Sequence, residues 1–283
     1  HRDLHSFPTR RSSDLDVPRF LMNVLEADML NVVSIGKSYS YKSEPGQTLL
    51  SKTRDIYKST GLLSSNKYTS LYSESSGGGK NEVIIGDVSY LEGKTKANDY
   101  LGCNVEAYYY KHDGDIIPEL VYVCVNSKNN IISLMAEEIS FVSFEKIEYV
   151  DDNNDEKKCS LSKNASFIYN GKMKSVSDDT VESLLRPECG TVTLIDNDVD
   201  DVYDVIKIEA YKTIVVSGKS EDSKSITDYS GTDSLVLDAN EEDCDIFITK
   251  DGAEFKFSKI SEWNVISYRS EERRVGKECR SRW

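Results

Sequence analysis

Histidine is nearly missing from this sequence, cysteine never falls into a metal-binding spacing, and no apolar run is long. Three histidines stand among 283 residues; His1 and His5 lie at the extreme N-terminus, so His112 is the lone interior imidazole. The commonest general acid–base and metal ligand is therefore almost unrepresented. The interior cysteines Cys103, Cys124, Cys159, Cys189 and Cys244 are odd in number and far apart. An odd count is incompatible with a complete disulfide framework, and no CxxC or Cys/His spacing argues for zinc, so most are expected to be free, half-buried thiols. The longest strongly apolar stretch, LVYVCV at 120–125, is far below the roughly 20 residues that a spanning helix needs. No GxSxG elbow is present, and SSGGGK lacks the GxxxxGK[ST] spacing of a phosphate loop. Basic charge is also short: the formal net charge is −14, which argues against nucleic acid, anionic membranes and membrane insertion.

The few basic clusters sit at the two ends, HRDLHSFPTRRSSDL (1–15) and RSEERRVGKECRSRW (269–283). Back-translated with allowed codons, the C-terminal end gives a DNA whose reverse complement encodes the N-terminal end. That DNA resembles a sequencing-library adapter, so both ends are expected to be translated adapter and to lack packing against the body. They carry net charges of +1 and +3, which leaves −18 on the remaining 253 residues.

What is present is strand texture. Residues 16–30, DVPRFLMNVLEADML, have Val17, Phe20, Leu21, Val24 and Leu25 at helical spacing with Pro18 in the first turn, which predicts a short amphipathic helix over about 17–27. VVSIGKSYSYKSEPGQ then reads as a linker or loose strand. From Thr48 onward, segments of five to eight residues rich in Val, Ile, Tyr and Thr alternate with Gly, Asn, Asp and Ser, and all 17 tyrosines are interior. The expected fold is mainly β: two small antiparallel β-barrel or sandwich-like modules with one short N-terminal helix. The polar run VDDNNDEKK (150–158) is the expected boundary, with one module at 46–150 and the other at 159–268. Three stretches share a plan: VIIGDVSYLEGKTKANDYLGCNVEAYY, FIYNGKMKSVSDDTVESLLRPECGTVTLI and IFITKDGAEFKFSKISEWNVISY. Each has a strand, a tight turn, a short strand, a helical turn and another strand. Asn170-Gly171 and Asp251-Gly252 are hairpin turns, because glycine tolerates positive φ.

The sharpest polar cluster is DNDVDDVYD (196–204), where Asp196, Asp198, Asp200 and Asp204 offer calcium-type oxygen ligands on one side of a loop. Asp201 and Lys207 stand where an EF-hand loop needs Gly and Glu, which excludes that motif. The competing reading is a solvated acidic hairpin whose aspartates accept local backbone hydrogen bonds. Tyr108 and Tyr110 share one strand face with Tyr109 on the other, either a sugar-stacking platform or cross-strand packing. ANEEDCD (239–245) reads as a solvated turn, and His112 beside Asp113 as an exposed, incidental pair.

Five segments, in order over about residues 45–268, resemble the β-rich region of large clostridial surface proteins that carry S-layer homology domains upstream. They are TLLSKTRDIYKSTGLLSSNKYTSLY, ANDYLGCNVEAYYY, IYNGK, GTVTLIDNDVDDVYDVIKIEAYKTIVV and EWNVISY. DVPRFLMNVLEADML is similar to the last helix of an S-layer homology repeat, where a motif of the type RxxVAxLLYNAL ends the domain, so 16–35 is the expected remnant of that repeat. The aspartate loop is similar to a pattern DxDGDGxYD, with Val199 and Asp201 in place of its glycines. The resemblance implies an extracellular parent held to wall polysaccharide through S-layer homology repeats upstream. No catalytic signature is among the matched motifs, and no cofactor is expected apart from calcium, which the spacing of Asp196, Asp198, Asp200 and Asp204 alone suggests. The functional expectation is a non-catalytic module of a cell-surface, S-layer-associated protein with a spacer or interaction role. The alternatives are a carbohydrate-binding β module and a hydrolase whose acids do not stand out.

Overall fold

The computed structural model describes residues 22–282 except 36–37, 74–78, 80, 112–113, 115, 178–179, 232–233, 238–247, 251–252 and 275–276; for 30–46 and 270–282 it describes the backbone alone. The N-terminal end at 1–15 and the first part of the expected helix lie outside the described residues. The remainder of that helix, residues 22–26, is helical (α1). The segment read as linker or loose strand is a hairpin, β1 (Asp28–Ile35) antiparallel to β2 (Ser38–Thr48). A helix that no apolar period announced follows, α2 (Leu49–Arg54). Its cause is local: Thr48 Oγ1 accepts from Ser51 N at 3.2 Å, and Thr48 N donates to Ser51 Oγ at 2.9 Å. This reciprocal cap satisfies two donors that a helix start otherwise leaves unpaired.

The chain is mainly β, as its texture predicts. β3 (Ile56–Ser65), β4 (Glu82–Ile85), β5 (Val88–Leu91), β6 (Asn104–Tyr110) and β7 (Glu119–Val125) close a barrel in the order β3-β4-β5-β7-β6. A 3₁₀ turn, Ala97–Tyr100, joins β5 to β6. Leu63, Val83, Ile85, Tyr90, Val105 and Ala107 fill the interior, and the barrel closes between β5 and β7 through the single pair Leu91–Glu119.

The second unit is an open sheet of β8 (Asn130–Met135), β9 (Ile139–Val142), β10 (Lys146–Val150), β11 (Glu156–Tyr169), β12 (Lys172–Lys174), β13 (Gly190–Asp196) and β14 (Val202–Ala210). Its order is β8-β13-β14-β11-β10-β9, with β12 on β11. The expected boundary at 150–158 is corrected here. Residues 151–155 are the turn that folds β10 back onto β11, with Lys146 opposite Ser160 and Val150 opposite Glu156 in one sheet. The run is polar because a hairpin tip faces water, and Asp151 Oδ1 takes Asn153 N and Asp155 N to shape it.

The centre of this sheet is covered on both faces. Val192, Leu194, Ile206 and Ile208 pack with Leu185 of α3 (Val181–Leu185). Ile168, Ile195 and Val205 belong instead to the barrel's core. Strands buried on both faces read as continuous apolar pairs, and Leu194-Ile195 and Val205-Ile206 are such pairs. At the seam Gly102 has φ +87°, and a Cβ there would stand 2.8 Å from Val205 Cγ1.

The third unit comprises β15 (Lys212–Ser220), β16 (Ser225–Asp228), β17 (Ser234–Val236), the hairpin β18 (Thr249–Lys250) and β19 (Ala253–Glu254), β20 (Val265–Arg274) and β21 (Lys277–Arg282). Its main sheet runs β17-β16-β15-β20-β21 over Ile214, Val216, Ile226, Leu235, Ile260 and Ile266. The expected plan recurs in all three stretches. The strand pairs β4–β5, β11–β12 and β18–β19 are each followed by a short helical turn and then by β6, β13 or β20; the expected Asp251-Gly252 turn lies outside the described residues. Each of those strands pairs antiparallel with the strand that opens its unit, β3, β8 or β15. The expectation that the C-terminal end lacks packing is corrected at its first residue. Arg269 is buried, its Nη1 2.6 Å from Glu209 Oε1 and its guanidinium over Tyr211, and β20 continues from it into a hairpin with β21. Strand pairing needs only backbone, so a polar continuation of β20 extends the ladder.

Candidate functional site

The hairpin between β13 and β14 carries the aspartates. β13 alternates, and its parity turns Val192, Leu194 and Asp196 to one side. Asp196 is consequently fully buried. Its Oδ1 accepts from Val199 N at 2.7 Å and Asp198 N at 3.2 Å, and its Oδ2 from Asp201 N at 3.1 Å. A buried carboxylate satisfied by three backbone donors is a loop organiser. Asp200 Oδ1 accepts from Val202 N at 2.9 Å, and Asp204 Oδ2 from Asn197 N at 3.4 Å. Val199 and Asp201 sit in the left-handed region at φ 66° and 64°.

Of the four expected ligands, Asp196, Asp198 and Asp204 bring one carboxylate oxygen each within 4.8 Å of one another, and Asp200 is not among them. Partial burial pushes the Asp204 carboxyl up, and repulsion from Asp198, Asp200 and Asp196 adds to it. The Asp198 carboxyl also rises, through desolvation and then Asp200 and Asp196. Calcium takes about six to eight oxygens, so three carboxylates make half a shell, and the two oxygens of Asp196 are already engaged. The reading of aspartates accepting local hydrogen bonds therefore describes the loop, except that Asp196 is buried rather than solvated.

Tyr108 and Tyr109 of the tyrosine run pack against other rings. Tyr109 stacks on Tyr57 at 5.8 Å and meets Tyr90 at 5.1 Å between ring centroids. Tyr108 is buried on the other face beside Tyr122, its ring under Lys58 Nζ and its hydroxyl donating to Glu26 of α1. Lys58 also pairs with Glu26 at 2.8 Å and Glu106 at 2.9 Å. No platform of parallel exposed rings forms from these residues. His112, Asp113 and the acidic turn at 239–245 lie outside the described residues. Cys103, Cys124, Cys159 and Cys189 are free thiols.

Two features escaped sequence reasoning. Tyr229 and Trp263 stack at 4.1 Å and 24°, with 45% and 64% of their surface exposed. Trp263 holds φ 70°, and Tyr229 Oη donates to Glu262 at 2.8 Å. They are far apart in sequence and meet only through the β15–β20 pairing. A cleft of about 610 Å³ also opens at the barrel–sheet seam, lined by Asn66, Tyr68, Glu92, Asn98, Lys207 and Arg269. One of its walls is Arg269, the first residue of the end that the codon argument excludes. Compared with known proteins, the chain matches no family model, no curated protein and no solved structure.

Proposed function

We propose that this chain is a non-catalytic β-repeat segment of an extracellular, S-layer-associated surface protein, serving as spacer or interaction module. The observation that carries the reading is the threefold recurrence of one unit: opening strand, tight hairpin, short helical turn, returning strand. Stacked copies of a small supersecondary unit build length at constant local structure, which is what a projecting spacer needs. Two further observations support it. The positions at which the resembled DxDGDGxYD pattern has glycine, Val199 and Asp201, are left-handed here, as glycine would favour. The excess of acid, −14 over the whole chain, keeps neighbouring copies soluble and mutually repelling. Attachment to wall polysaccharide belongs, on this reading, to S-layer homology repeats upstream. The test is a wall-pelleting assay on residues 16–268 beside a chain with those repeats restored. The short chain stays in the supernatant and the long one pellets; strong pelleting of the short chain defeats the proposal.

A second reading, a carbohydrate-binding module, is favoured by the exposed Tyr229–Trp263 pair. Sugar rings stack on exposed indole faces, and a strained, exposed Trp is a residue to test. Affinity electrophoresis in wall polysaccharide, with Trp263→Ala as control, decides it: retardation of the native chain that the variant loses supports this reading, and equal mobility removes it.

A further inference from the structure

A lysine stands where the barrel–sheet seam is otherwise apolar. Strand parity sets Val205, Lys207 and Glu209 of β14 on one face, and Ile206 and Ile208 on the other. The first face is the one the barrel covers, since Val205 belongs to the barrel's core, as does Ile168, the partner of Lys207 on β11. Lys207 Nζ donates to Asp99 O at 3.2 Å, in the 3₁₀ turn Ala97–Tyr100 of the barrel. An ammonium has three donors, and this carbonyl takes one. Burial pushes the Lys207 ammonium below the ordinary lysine range, against the opposing pull of Cys103, Asp99 and Glu209.

Lys207 lines the seam cleft of about 610 Å³, within the range of small-molecule sites. The other charges of the lining balance one another. Glu92 pairs with Lys67 at 3.8 Å and Glu209 with Arg269 at 2.6 Å. Lys96 and Asp99 are exposed and opposite in sign. Lys207 is left over, and among the described residues no carboxylate forms an ion pair with it. A cation held out of water without a counter-charge costs free energy until an anion joins it. Asn98 in the same lining is also half served. Its carbonyl accepts from Asn66 Nδ2 at 3.2 Å and its N–H donates to Glu92 Oε1 at 3.4 Å. Its side-chain Oδ1 is buried and accepts from no donor among the described residues, a shortfall comparable to a lost hydrogen bond.

We propose that this cleft binds a small polyhydroxylated monocarboxylate, a sugar acid, with its carboxylate on Lys207 Nζ and a hydroxyl donating to Asn98 Oδ1. Charge balance selects the class. One uncompensated cation matches one negative charge, whereas a phosphate dianion brings a surplus beside Glu92, Asp99 and Glu209 in a chain of net charge −14. A neutral sugar leaves the ammonium without a counter-charge, and a carboxylate without hydroxyls leaves Asn98 Oδ1 without a donor. Arg269 forms one wall but is engaged with Glu209, so recognition rests on the barrel and the second sheet. The site stands apart from wall attachment and from the Tyr229–Trp263 pair, which belongs to the third unit.

The test titrates sodium glucuronate into the isotope-labelled full chain at constant ionic strength and follows the amide resonances of Lys207 and Asn98. Glucuronate shifts both to saturation and glucose shifts neither; acetate and inorganic phosphate bind at least about tenfold more weakly than glucuronate. Lys207→Met, apolar and of similar length on an apolar face, keeps the fold and weakens glucuronate by about tenfold or more. Asn98→Asp, of the same shape with a further negative charge, weakens it too. Arg269→Ala and Trp263→Ala retain binding, which keeps this outcome separate from that of the exposed aromatic pair. The proposal is overturned if neither resonance moves at any glucuronate concentration, if glucose matches glucuronate, or if phosphate binds more tightly. It is overturned too if Lys207→Met leaves the affinity unchanged or if Arg269→Ala alone abolishes it.

Discussion

At the scale of single residues the backbone makes the firmest demands. Gly190 opens β13 at φ +137°, and a Cβ there would lie 1.9 Å from Glu209 O on the neighbouring strand. Gly171 turns the β11–β12 hairpin at φ +84° with nothing within 4 Å of its Cβ position. Gly190→Ala should cost about 3 kcal/mol and Gly171→Ala about 1 kcal/mol, since the first adds a collision with backbone to the left-handed penalty. Urea midpoints at equal m-value measure both, and equal losses would contradict the geometry. Asp196 makes a comparable demand with hydrogen bonds. Asp196→Ala orphans three loop N–H groups and should destabilise by about 2–3 kcal/mol without any added cation. Calcium should leave the melting temperature of the native chain unchanged, the loop being satisfied internally; a calcium-induced rise that Asp204→Asn abolishes would instead make the three carboxylates an ion site.

Elements meet through small polar clusters as well as cores. α1 docks on the barrel where Glu26 accepts from Tyr108 and Lys58. Partial burial and the hydrogen bond to Glu26 push the Tyr108 phenol up to about 12, although Lys58 opposes this. Burial would raise the Glu26 carboxyl, but the hydrogen bonds from Lys58 and Tyr108 outweigh it and hold it low. The raised phenol contributes stability that is complete below its ordinary value of 10 and is lost as pH rises through about 12. The lowered carboxyl contributes stability present above its ordinary 4.5 and lost as pH falls below it. Glu26→Gln should therefore bring one phenol down toward 10 in an absorbance titration and speed amide exchange across residues 22–26; an unmoved titration would detach α1 from the barrel. How much of this was legible varied with range. Strand texture, the Asn170-Gly171 turn and the recurring unit were readable, because turns and alternation are local. The boundary was not, because VDDNNDEKK reports contact with water and not a division of the chain. The tyrosine run concealed its roles, since only the closed barrel decides that Tyr109 meets Tyr57 and Tyr90. Asp196 was half readable: local backbone donors were expected for it, but its burial was missed, although it shares the strand parity of Val192 and Leu194.

For the molecule as a whole, the cores predict how it comes apart. The barrel's core includes Ile168, Ile195 and Val205 of the second sheet, while the third unit rests on a smaller cluster around Val216, Ile226 and Leu235. Thermal unfolding should show two steps, the third unit first and the other two together, because cooperativity follows shared buried surface. Val205→Ala, which empties space on the shared face, should lower the second step by about 2 kcal/mol and leave the first in place. Scanning calorimetry with residue-resolved exchange distinguishes this from one transition or three. The parallel ladder of β11 and β14, from Ser160 opposite Val202 to Tyr169 opposite Ile208, then has a mechanical meaning. β14 leads directly into β15, so tension along the chain draws β14 lengthwise past β11 and β13. Such a pull loads the parallel β11–β14 ladder in shear along its length, whereas the β13–β14 hairpin, joined at its far end, is loaded from its open end at Gly190 and Ala210. Under the proposed spacer role, the third unit with its smaller core yields first and the β11–β14 ladder holds longer.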